Sequence, residues 1–498
     1  MGGAHVFLTG APGAGKTYVL NEYVQRAKKT GKVVAVTAST GIAATHLNGN
    51  TIHAWSGLGI RDFLTPDDER WLAGNEKLIK RYNGTDVLVI DEVSMLHGAR
   101  LNMINQAAKL LRKSDAPFGG LQVILVGDLY QLPPVSRYGM AVDFVHDSAA
   151  WHELDPEVCY ITEQHRQADS DQLLNLLQAM RRDQVDTEHF EMLQERTGLK
   201  ASDGEAVTRL FAHNVDVEAI NNTHLAALMT KSRTYTMTTK GAKQRVEQLT
   251  KSLLAPEKLE LKIGAEVMFV ANNFAEGYVN GSRGRVLDFR DDGPLVELLN
   301  GRKMVVEPFT WNLTEDGRSI AEARQLPLRL AWAITIHKSQ GMSLDAAEID
   351  LSKAFTPGMG YVALSRVRSL DGLYLKGINN MALAMHPQIH SFDGLLRQAS
   401  AELAAVTEDI EDQPVVEETV ADVVIDEALF EKLKDWRFQR AKADGVPAFM
   451  IAHNATLTAV VLERPVSTQQ LLQVPGFGSR KAEAYGADIV KIVVDHQS

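Results

Sequence analysis

The chain of 498 residues predicts about three domains, and its 45% hydrophobic and 23% charged residues are typical of a globular protein. No run approaches the ~18 apolar residues of a membrane span and no leader precedes Val6, so we expect a cytoplasmic protein, nucleoid-associated in a prokaryote. The single cysteine, Cys159, excludes an intramolecular disulfide, and the net charge of −11 is concentrated in residues 398–498, which leaves a basic groove possible elsewhere.

The first apolar strand, Val6 to Leu8, leads into a glycine-rich turn with the pattern of a phosphate-binding loop. The turn reads Gly10-Ala11-Pro12-Gly13-Ala14-Gly15-Lys16-Thr17. We expect its backbone N–H groups, together with the N-terminus of a helix starting near Lys16, to bind the phosphates of ATP. Lys16 should reach the β- and γ-phosphates, and the Thr17 hydroxyl should bind Mg²⁺.

A second apolar strand, residues 87–90, ends in the carboxylates Asp91 and Glu92. Four β-prone residues in a row predict a strand buried on both faces of a parallel sheet. We expect Asp91 to hold Mg²⁺ and Glu92 to orient or deprotonate the attacking water. An exposed acidic pair would be an ordinary loop, but carboxylates ending a buried strand need a cation.

Two further strands, residues 33–36 and 123–126, complete the prediction of a parallel α/β sheet. The segment after residue 126 places Gln131 at the same sheet edge as Lys16, where it is positioned to sense the γ-phosphate. Arg166 and Arg366 are candidate clamps on the transferred phosphoryl group. Residues 171–182 have helical spacing and predict a surface helix.

The character of the chain changes three times in its second half. Residues 232–324 have β-prone runs and glycine turns that predict an inserted small β-barrel. Residues 396–425 contain one basic residue and many acidic ones and predict a flexible acidic linker. A short ordered segment near Val415 is an alternative within it. Residues 426–498 predict a compact helical unit.

These segments together resemble superfamily 1B DNA helicases of the Pif-like and RecD-like branch, over residues 5–380. The motifs occur in the family's order: the phosphate loop, Thr37 to Ala44, Thr51 to His53, Asp91-Glu92, Gly127 to Pro134, His165 to Gln167, Leu261 to Met268, Val279 to Gly284, Ala333 to Gly341 and Tyr361 to Arg366. One match could arise by chance, whereas ten in order could not.

The resemblance implies two RecA-like domains, residues 1–153 for the first and residues 154–231 with 325–395 for the second. ATP would lie between them, with Gly341 among the nucleotide-binding positions and a single DNA strand across the upper face. Five residues would lie along that strand: Thr40, His53, Thr335, His337 and Lys338. For each, a structural alternative is equally open, since threonines cap helices and histidines form core hydrogen bonds.

The resemblance also implies 5′-to-3′ translocation, action at single-strand/duplex junctions, a monomer, and an HRDC-like domain at residues 426–498. Two departures stand out. The segment before Val6 is too short for the family's adenine-reading glutamine, and Met359 occupies a position that is usually glutamine. The residue that splits the duplex is not identifiable, with Phe63 and Trp71 as guesses.

The leading hypothesis is therefore an ATP-dependent DNA helicase in replication, recombination or repair. A DNA-stimulated translocase without strand separation is the main alternative. A P-loop small-molecule kinase would leave Arg166, Arg366 and residues 333–341 without a role. A binding module that uses ATP as a switch would not need Glu92.

Overall fold

The computed structural model describes residues 3–40, 43–44, 47, 50–59, 61, 63–134, 141–162, 172–200, 207–271, 273, 276–278, 282–299, 301–315, 318–411, 426–444, 446, 448–475 and 477–497. Within these ranges, no helix is both long and apolar enough to cross a membrane.

The N-terminal part is a six-stranded parallel sheet. Its strands are β1 Val6–Gly10, β2 Val34–Ala38, β3 Asn50–Thr51, β4 Val87–Asp91, β5 Gln122–Val126 and β6 Glu157–Ile161, in the order β3-β2-β4-β5-β1-β6. All four strands predicted for this region are present, and the first four residues of β4 are fully buried. The sheet also contains β6, paired with β1 from Val6 opposite Glu157 onward, although the sequence placed residues 154–161 in the second domain. The first domain therefore extends to the end of β6, because the pairing of β6 with β1 decides which domain this strand belongs to.

Six helices whose bounds lie within the described residues accompany the first sheet. They are α1 Lys16–Lys29, α2 Ile52–Trp55, α3 Pro66–Ala73, α4 Glu76–Asn83, α5 Gly98–Arg112 and α6 Ala149–Leu154. The start of α3 is encoded locally, because Thr65 and Asp68 form a capping box and Pro66 occupies the first turn. Trp151 of α6 packs edge-on against Phe7 of β1, with ring centroids 4.9 Å apart, and so anchors α6 to the sheet.

A second parallel unit begins with α7 Gln172–Arg182, α8 Thr187–Glu195, β7 Thr208–Phe211 and α9 Asn214–Ala227. The helix predicted at residues 171–182 is confirmed, but its placement on the surface is wrong. Most of its side chains are buried, including Arg181 in its last turn. The amphipathic pattern misled because Arg181, which shares the buried face with Leu177, has a buried partner of opposite charge.

The described residues of the insert form ten strands and one helix. They are β8 Arg233–Thr236, β9 Thr238–Gly241, α10 Lys243–Ser252, β10 Lys258–Leu261, β11 Glu266–Phe269, β12 Arg283–Phe289, β13 Pro294–Leu298, β14 Lys303–Val305, β15 Phe309–Glu315, β16 Arg318–Gln325 and β17 Leu328–Leu330. They form antiparallel sheets ordered β14-β13-β12-β11-β17, β10-β8 and β15-β16-β9. Because β17 pairs with β11, the insert's sheet extends past the predicted end at residue 324.

The chain then completes the second sheet with β18 Ala333–Thr335, β19 Ala347–Leu351, α11 Met359–Leu364, β20 Leu373–Ile378, α12 Asn380–Leu383 and α13 Pro387–Glu411. The strand order is β18-β7-β19-β20, all parallel. Helix α13 corrects the predicted linker, because residues 396–411 are helical and not flexible chain. The buried side chains Ile389, Phe392, Leu396 and Ala399 recur at helical spacing and hold it against the core. Residues 412–425, with Val415, lie outside the described residues.

The C-terminal unit contains α14 Glu427–Asp444, α15 Ala448–Ile451, α16 Asn454–Glu463, α17 Thr468–Leu471 and α18 Ser479–Gln497. It has a hydrophobic core of its own, in which Leu433, Leu457 and Ile489 are fully buried. A separate core is what allows such a unit to be an accessory domain.

Candidate nucleotide and nucleic-acid site

The phosphate loop connects the end of β1 to the start of α1. Gly10 has φ +148°, and a Cβ there would lie 2.6 Å from the carbonyl oxygen of Ile161 in β6. Gly13 and Gly15 have φ values of 87° and 90°, which disfavour any L side chain. Ala14 is buried, and its N–H donates to the Ala11 oxygen at 3.2 Å. The loop backbone thus has the conformation that the motif predicts.

Lys16 is held by the loop that it follows. Its Nζ donates to the carbonyl oxygens of Gly10 at 2.8 Å and Ala11 at 3.0 Å. Burial lowers the pKa of Lys16, and the charges of Asp128 and Glu92 act in the opposite direction. Thr17 is exposed in the first turn of α1. Both side chains therefore lie at the loop where the sequence placed the phosphates.

The acidic pair lies at the end of β4. Burial and the charge of Glu92 together raise the pKa of Asp91 to about 7. Asp91 Oδ1 accepts a hydrogen bond from the Glu92 N–H at 2.8 Å, and Glu92 itself has the left-handed φ of 52°. The Ser39 hydroxyl donates to the Glu92 carbonyl at 2.6 Å and so helps to hold this turn. A strained backbone at a carboxylate is common at functional sites.

Two glutamines complete this group from opposite domains. Gln131 follows β5 and is buried, and its Oε1 has no hydrogen-bond partner among the described residues. Gln340 lies after β18, and its Nε2 donates to Glu92 Oε2 at 3.0 Å. Gln340 lies in the motif from Ala333 to Gly341, but it was not among the predicted site residues. We name Lys16, Asp91, Glu92, Gln131 and Gln340 the nucleotide cluster.

The donor set of this cluster fits Mg²⁺. The ion prefers oxygen ligands. The cluster supplies the Asp91 carboxylate at the end of β4, and the Thr17 hydroxyl in the first turn of α1 is a second oxygen donor. The raised pKa of Asp91 has burial as its main cause, and the charge of the neighbouring Glu92 adds to it. A divalent cation would lower that pKa by supplying positive charge.

Of the two arginines predicted to clamp the phosphoryl group, only Arg366 lies within the described residues. Arg166 lies outside the described residues. Arg366 is buried, and its guanidinium donates to the Val362 oxygen at 2.9 Å, the Met342 oxygen at 3.2 Å and the Ser365 hydroxyl at 2.8 Å. Gly341, the predicted nucleotide contact, has φ +79° and directly follows Gln340. The structure thus brings Gly341 to the cluster through its neighbour, while Arg366 is bonded within its own domain.

Two of the residues predicted to contact DNA, Thr40 and Thr335, use their hydroxyls to cap backbone turns. The Thr40 hydroxyl accepts from the Ala43 N–H at 3.3 Å, and the Thr335 hydroxyl accepts from the Lys338 N–H at 3.3 Å. These contacts match the structural alternative of a threonine cap. Each cap fixes the backbone turn that carries its neighbours.

The histidines and the lysine are half-buried. Burial, with Arg100 and His97 nearby, lowers the pKa of His53 to about 4. Burial also lowers the pKa values of His337 and Lys338. The His337 ring lies parallel to the exposed ring of Phe355, with centroids 6.3 Å apart. The exposed Phe355 ring of this stack suits contact with nucleobases.

Comparison with known proteins assigns the family. Residues 1–190 match the PIF1-like helicase family. The chain is 41% identical over 469 residues to the ATP-dependent DNA helicase Pif1 of Psychrobacter, covering 82% of this chain and 71% of that protein. The chain belongs to the PIF1-like helicase family. Against human PIF1 it is 36% identical over 80% of its own length, but it spans only 62% of the human protein.

The family assignment extends to the fold. The structure of Bacteroides Pif1 with ADP-AlF3 and ssDNA is 31% identical and has a TM-score of 0.61, covering 79% of this chain and 94% of that one. Residues 246–289 match the 2B domain of DNA helicase Pif1, and residues 426–493 match the HRDC domain. This PIF1-like chain therefore has two RecA-like domains, an inserted β unit and a C-terminal HRDC domain.

In this PIF1-like chain the HRDC domain contacts the motor through ion pairs. Arg437 of α14 forms an ion pair with Asp155, and its guanidinium also donates to the Ala452 oxygen at 2.7 Å. Lys481 of α18 pairs with Glu402 of α13 at 2.5 Å. These contacts favour a docked HRDC domain over a freely tethered one.

Proposed function

We propose that the chain is an ATP-dependent DNA helicase that translocates 5′ to 3′ on single-stranded DNA and unwinds duplexes at single-strand/duplex junctions. The observation that carries the proposal is the Gln340 to Glu92 hydrogen bond of 3.0 Å. It joins the second RecA-like domain to the carboxylate assigned to water activation in the first. A nucleotide cleft assembled from two domains converts hydrolysis into relative domain motion.

The chemistry follows from the nucleotide cluster. Lys16 exchanges its two loop carbonyls for the β- and γ-phosphate oxygens of ATP, because phosphate offers a full negative charge. Glu92 orients the attacking water and accepts its proton, while Gln340 holds the other side of the carboxylate. Thr17 and Asp91 would hold Mg²⁺, which when bound neutralises charge on the β- and γ-phosphates.

Three further groups respond to the γ-phosphate in this proposal. Gln131 contacts it from the first domain by donating its side-chain amide N–H to a phosphate oxygen. Arg166 and Arg366 approach it from the second domain, and Arg366 exchanges its carbonyl partners for phosphate oxygens. ATP thereby pulls the domains together, and loss of the γ-phosphate releases them.

The DNA strand crosses both domains over the tops of the sheets. Support comes from the Bacteroides Pif1 structure with ssDNA, which shares the fold over most of the motor. His53 on α2 and His337 with Lys338 after β18 face this path from the two domains, and the Thr40 and Thr335 caps fix the turns beside them. We place the protein in the cytoplasm, acting as a monomer.

The test measures ATP hydrolysis with and without single-stranded DNA, alongside unwinding of duplexes with a 5′ or a 3′ tail. We expect strong stimulation by DNA and unwinding from the 5′ tail alone. Stimulation without unwinding would favour the translocase. Hydrolysis that ignores DNA would overturn the assignment of the substrate.

A further inference from the structure

A second buried group of charges lies beside the nucleotide cluster, and the proposed hydrolysis does not use it. We name it the Arg181 cluster, and its side chains come from five separate elements: Asp128, Tyr160, Arg181, Tyr361 and Asp393. Asp128 and Tyr361 are fully buried, and Arg181 is 4% exposed. Charges buried to this degree need close partners.

Asp128 and Arg181 form the centre of this cluster. The Arg181 Nη1 donates to both carboxylate oxygens of Asp128, at 2.8 and 2.9 Å, and to the Tyr361 hydroxyl at 2.7 Å. The Tyr361 hydroxyl in turn donates to Asp128 Oδ2 at 3.2 Å. The three side chains thus form a closed triangle of hydrogen bonds across the domain boundary.

The other half of the guanidinium reaches the elements that flank this triangle. The Arg181 Nη2 donates to the Tyr160 hydroxyl on β6 at 2.5 Å and to Asp393 Oδ1 on α13 at 3.3 Å. The Arg181 Cζ also lies 4.3 Å from the centroid of the Tyr130 ring, and the Tyr130 hydroxyl donates to the Arg181 carbonyl at 2.7 Å. A planar, permanently charged fork with this many fixed partners leaves no room for a rotamer change.

Two corners of this triangle, Asp128 and Tyr361, lie in the segments that carry the groups proposed to contact the γ-phosphate. Asp128 begins the turn that ends at Gln131, whose N–H donates to the Asp128 carbonyl at 3.0 Å. Tyr361 lies on α11, which leads directly to Arg366, and the Arg366 Nε donates to the Val362 carbonyl of that helix. The two segments also touch directly, since a Cβ on Gly358 would lie 2.7 Å from the Tyr130 carbonyl oxygen.

We propose that Arg181 is a positioning residue that transmits the nucleotide state between the two RecA-like domains. It makes the turn that carries Gln131 and the helix that precedes Arg366 move as one body, so that the two groups reach the γ-phosphate together. This inference rests on the proposed helicase function. Its consequence is that Arg181 governs how strongly single-stranded DNA stimulates hydrolysis, and not whether ATP binds.

The test compares variants that remove the bridge without stranding a buried charge. Removing one partner of a buried ion pair destabilises far more than removing both, so the main variant is the double substitution Asp128→Asn with Arg181→Met. Arg181→Lys returns the charge without the planar fork. Arg397→Met is the matched control, because it removes the outer ion pair to Asp393 at 2.7 Å and leaves the Asp128 to Tyr361 bonds in place.

The readouts are melting temperature, KM for ATP, and the ratio of ATPase rates with and without single-stranded DNA. For the double variant we expect KM and basal rate within about threefold of wild type and a stimulation ratio reduced about tenfold. Arg181→Lys should recover part of the ratio, and Arg397→Met should keep it. Tyr361→Phe, which leaves the ion pair intact, should lower the ratio about threefold and covers the case of a double variant that does not fold.

A folded double variant, or Tyr361→Phe in its place, with the full stimulation ratio overturns the role of Arg181. A fall in melting temperature with basal and stimulated rates reduced in the same proportion also overturns it, because that is the signature of a structural role alone. If wild type itself is not stimulated by single-stranded DNA, the proposed function fails first and this inference with it.

Discussion

The nucleotide cluster and the Arg181 cluster are both buried groups of charge at the domain boundary, yet they are bonded in opposite ways. In the Arg181 cluster, both oxygens of Asp128 accept hydrogen bonds from a single guanidinium. In the nucleotide cluster, burial and the charge of Glu92 raise the pKa of Asp91, and the Oε1 atoms of Gln131 and Gln340 have no partner among the described residues. A carboxylate paired through both of its oxygens suits a part that transmits force, and amide oxygens left without partners suit a part that binds a ligand.

The largest effect should come from removing the positive charge of the nucleotide cluster. We expect Lys16→Ala to abolish measurable ATP hydrolysis and unwinding, because no other described side chain of the cluster offers a cation to the β- and γ-phosphates. Steady-state ATPase with saturating single-stranded DNA measures this. Lys29→Ala, at the other end of the same helix, is the control and should keep wild-type rates. Hydrolysis by Lys16→Ala would show that the phosphates bind elsewhere.

Next in size is the loss of the proposed general base. Glu92→Gln keeps the shape and the contact with Gln340 but removes the acceptor for a proton, so we expect turnover to fall about 10²- to 10⁴-fold with nucleotide binding retained. A fluorescent ATP analogue reports binding and phosphate release reports turnover. The exposed Glu76→Gln serves for comparison. Normal turnover in Glu92→Gln would sink the catalytic assignment.

The contact between the domains should have a smaller effect. Gln340→Ala removes the hydrogen bond to Glu92, and because that bond involves a charged partner we expect DNA-stimulated turnover to fall about tenfold. Gln388→Ala, which removes an exposed side-chain amide bonded to Asp147 at 2.6 Å, is the control. An unchanged rate in Gln340→Ala would mean that the two domains meet without this bond during turnover.

The nucleotide cluster was largely predictable from sequence, and the Arg181 cluster was not. Lys16, Thr17, Asp91, Glu92 and Gln131 each follow a strand of the same sheet, and the carboxyl ends of parallel strands converge at one edge. Short motifs therefore predict both the position and the chemistry. Gln340 belonged to a known motif, yet its partner lies 248 residues away and was not deducible.

The partners of Arg181 are also far apart in the chain. Asp128 and Tyr361 are separated by 233 residues, and nothing local to Arg181 indicates either of them. The amphipathic pattern of residues 171–182 predicted a surface helix because a periodic pattern records polarity but not pairing. The same limit explains β6 and α13: strand partners and packing surfaces, and not composition, place residues 154–161 and 396–411.

The docked HRDC domain leads to a modest effect on the motor. Deleting residues 412–498 leaves α13 whole, whereas a deletion starting at residue 400 would remove Ser400, whose hydroxyl accepts from the Tyr160 N–H of β6 at 2.9 Å. We expect the ATPase rate of the shorter chain to stay within about twofold of the full chain. Its DNA affinity should fall no more than about threefold, because several basic side chains of the HRDC domain already pair with acidic groups: Lys434, Arg437, Arg440, Arg464 and Lys481. Filter binding and ATPase assays measure these two quantities.

A result of the opposite kind would change the assignment of the tail. Loss of basal hydrolysis in the 412–498 deletion would make the HRDC domain part of the motor's structure. A much larger loss of DNA affinity would make it a DNA-binding domain despite its paired charges. Asp155→Asn tests docking separately, because it removes the partner of Arg437 and leaves the HRDC sequence intact.

The smallest effect concerns an apolar contact next to the Arg181 cluster. The ring of His146 stacks on Phe392, the residue before Asp393, with centroids 4.3 Å apart, and burial lowers the pKa of His146 to about 4 while Asp147 opposes the shift. An unfolded histidine has a pKa near 6.5, so the unfolded chain binds more protons between about pH 6.5 and 4 and the free energy of unfolding falls as the pH falls through that window. His146→Phe keeps the stack and removes the proton site, and we expect denaturation midpoints at pH 7.5 and pH 5 to differ less in this variant than in wild type. The exposed His152→Asn should retain the wild-type difference, and an equal difference in His146→Phe would place the acid sensitivity at other histidines.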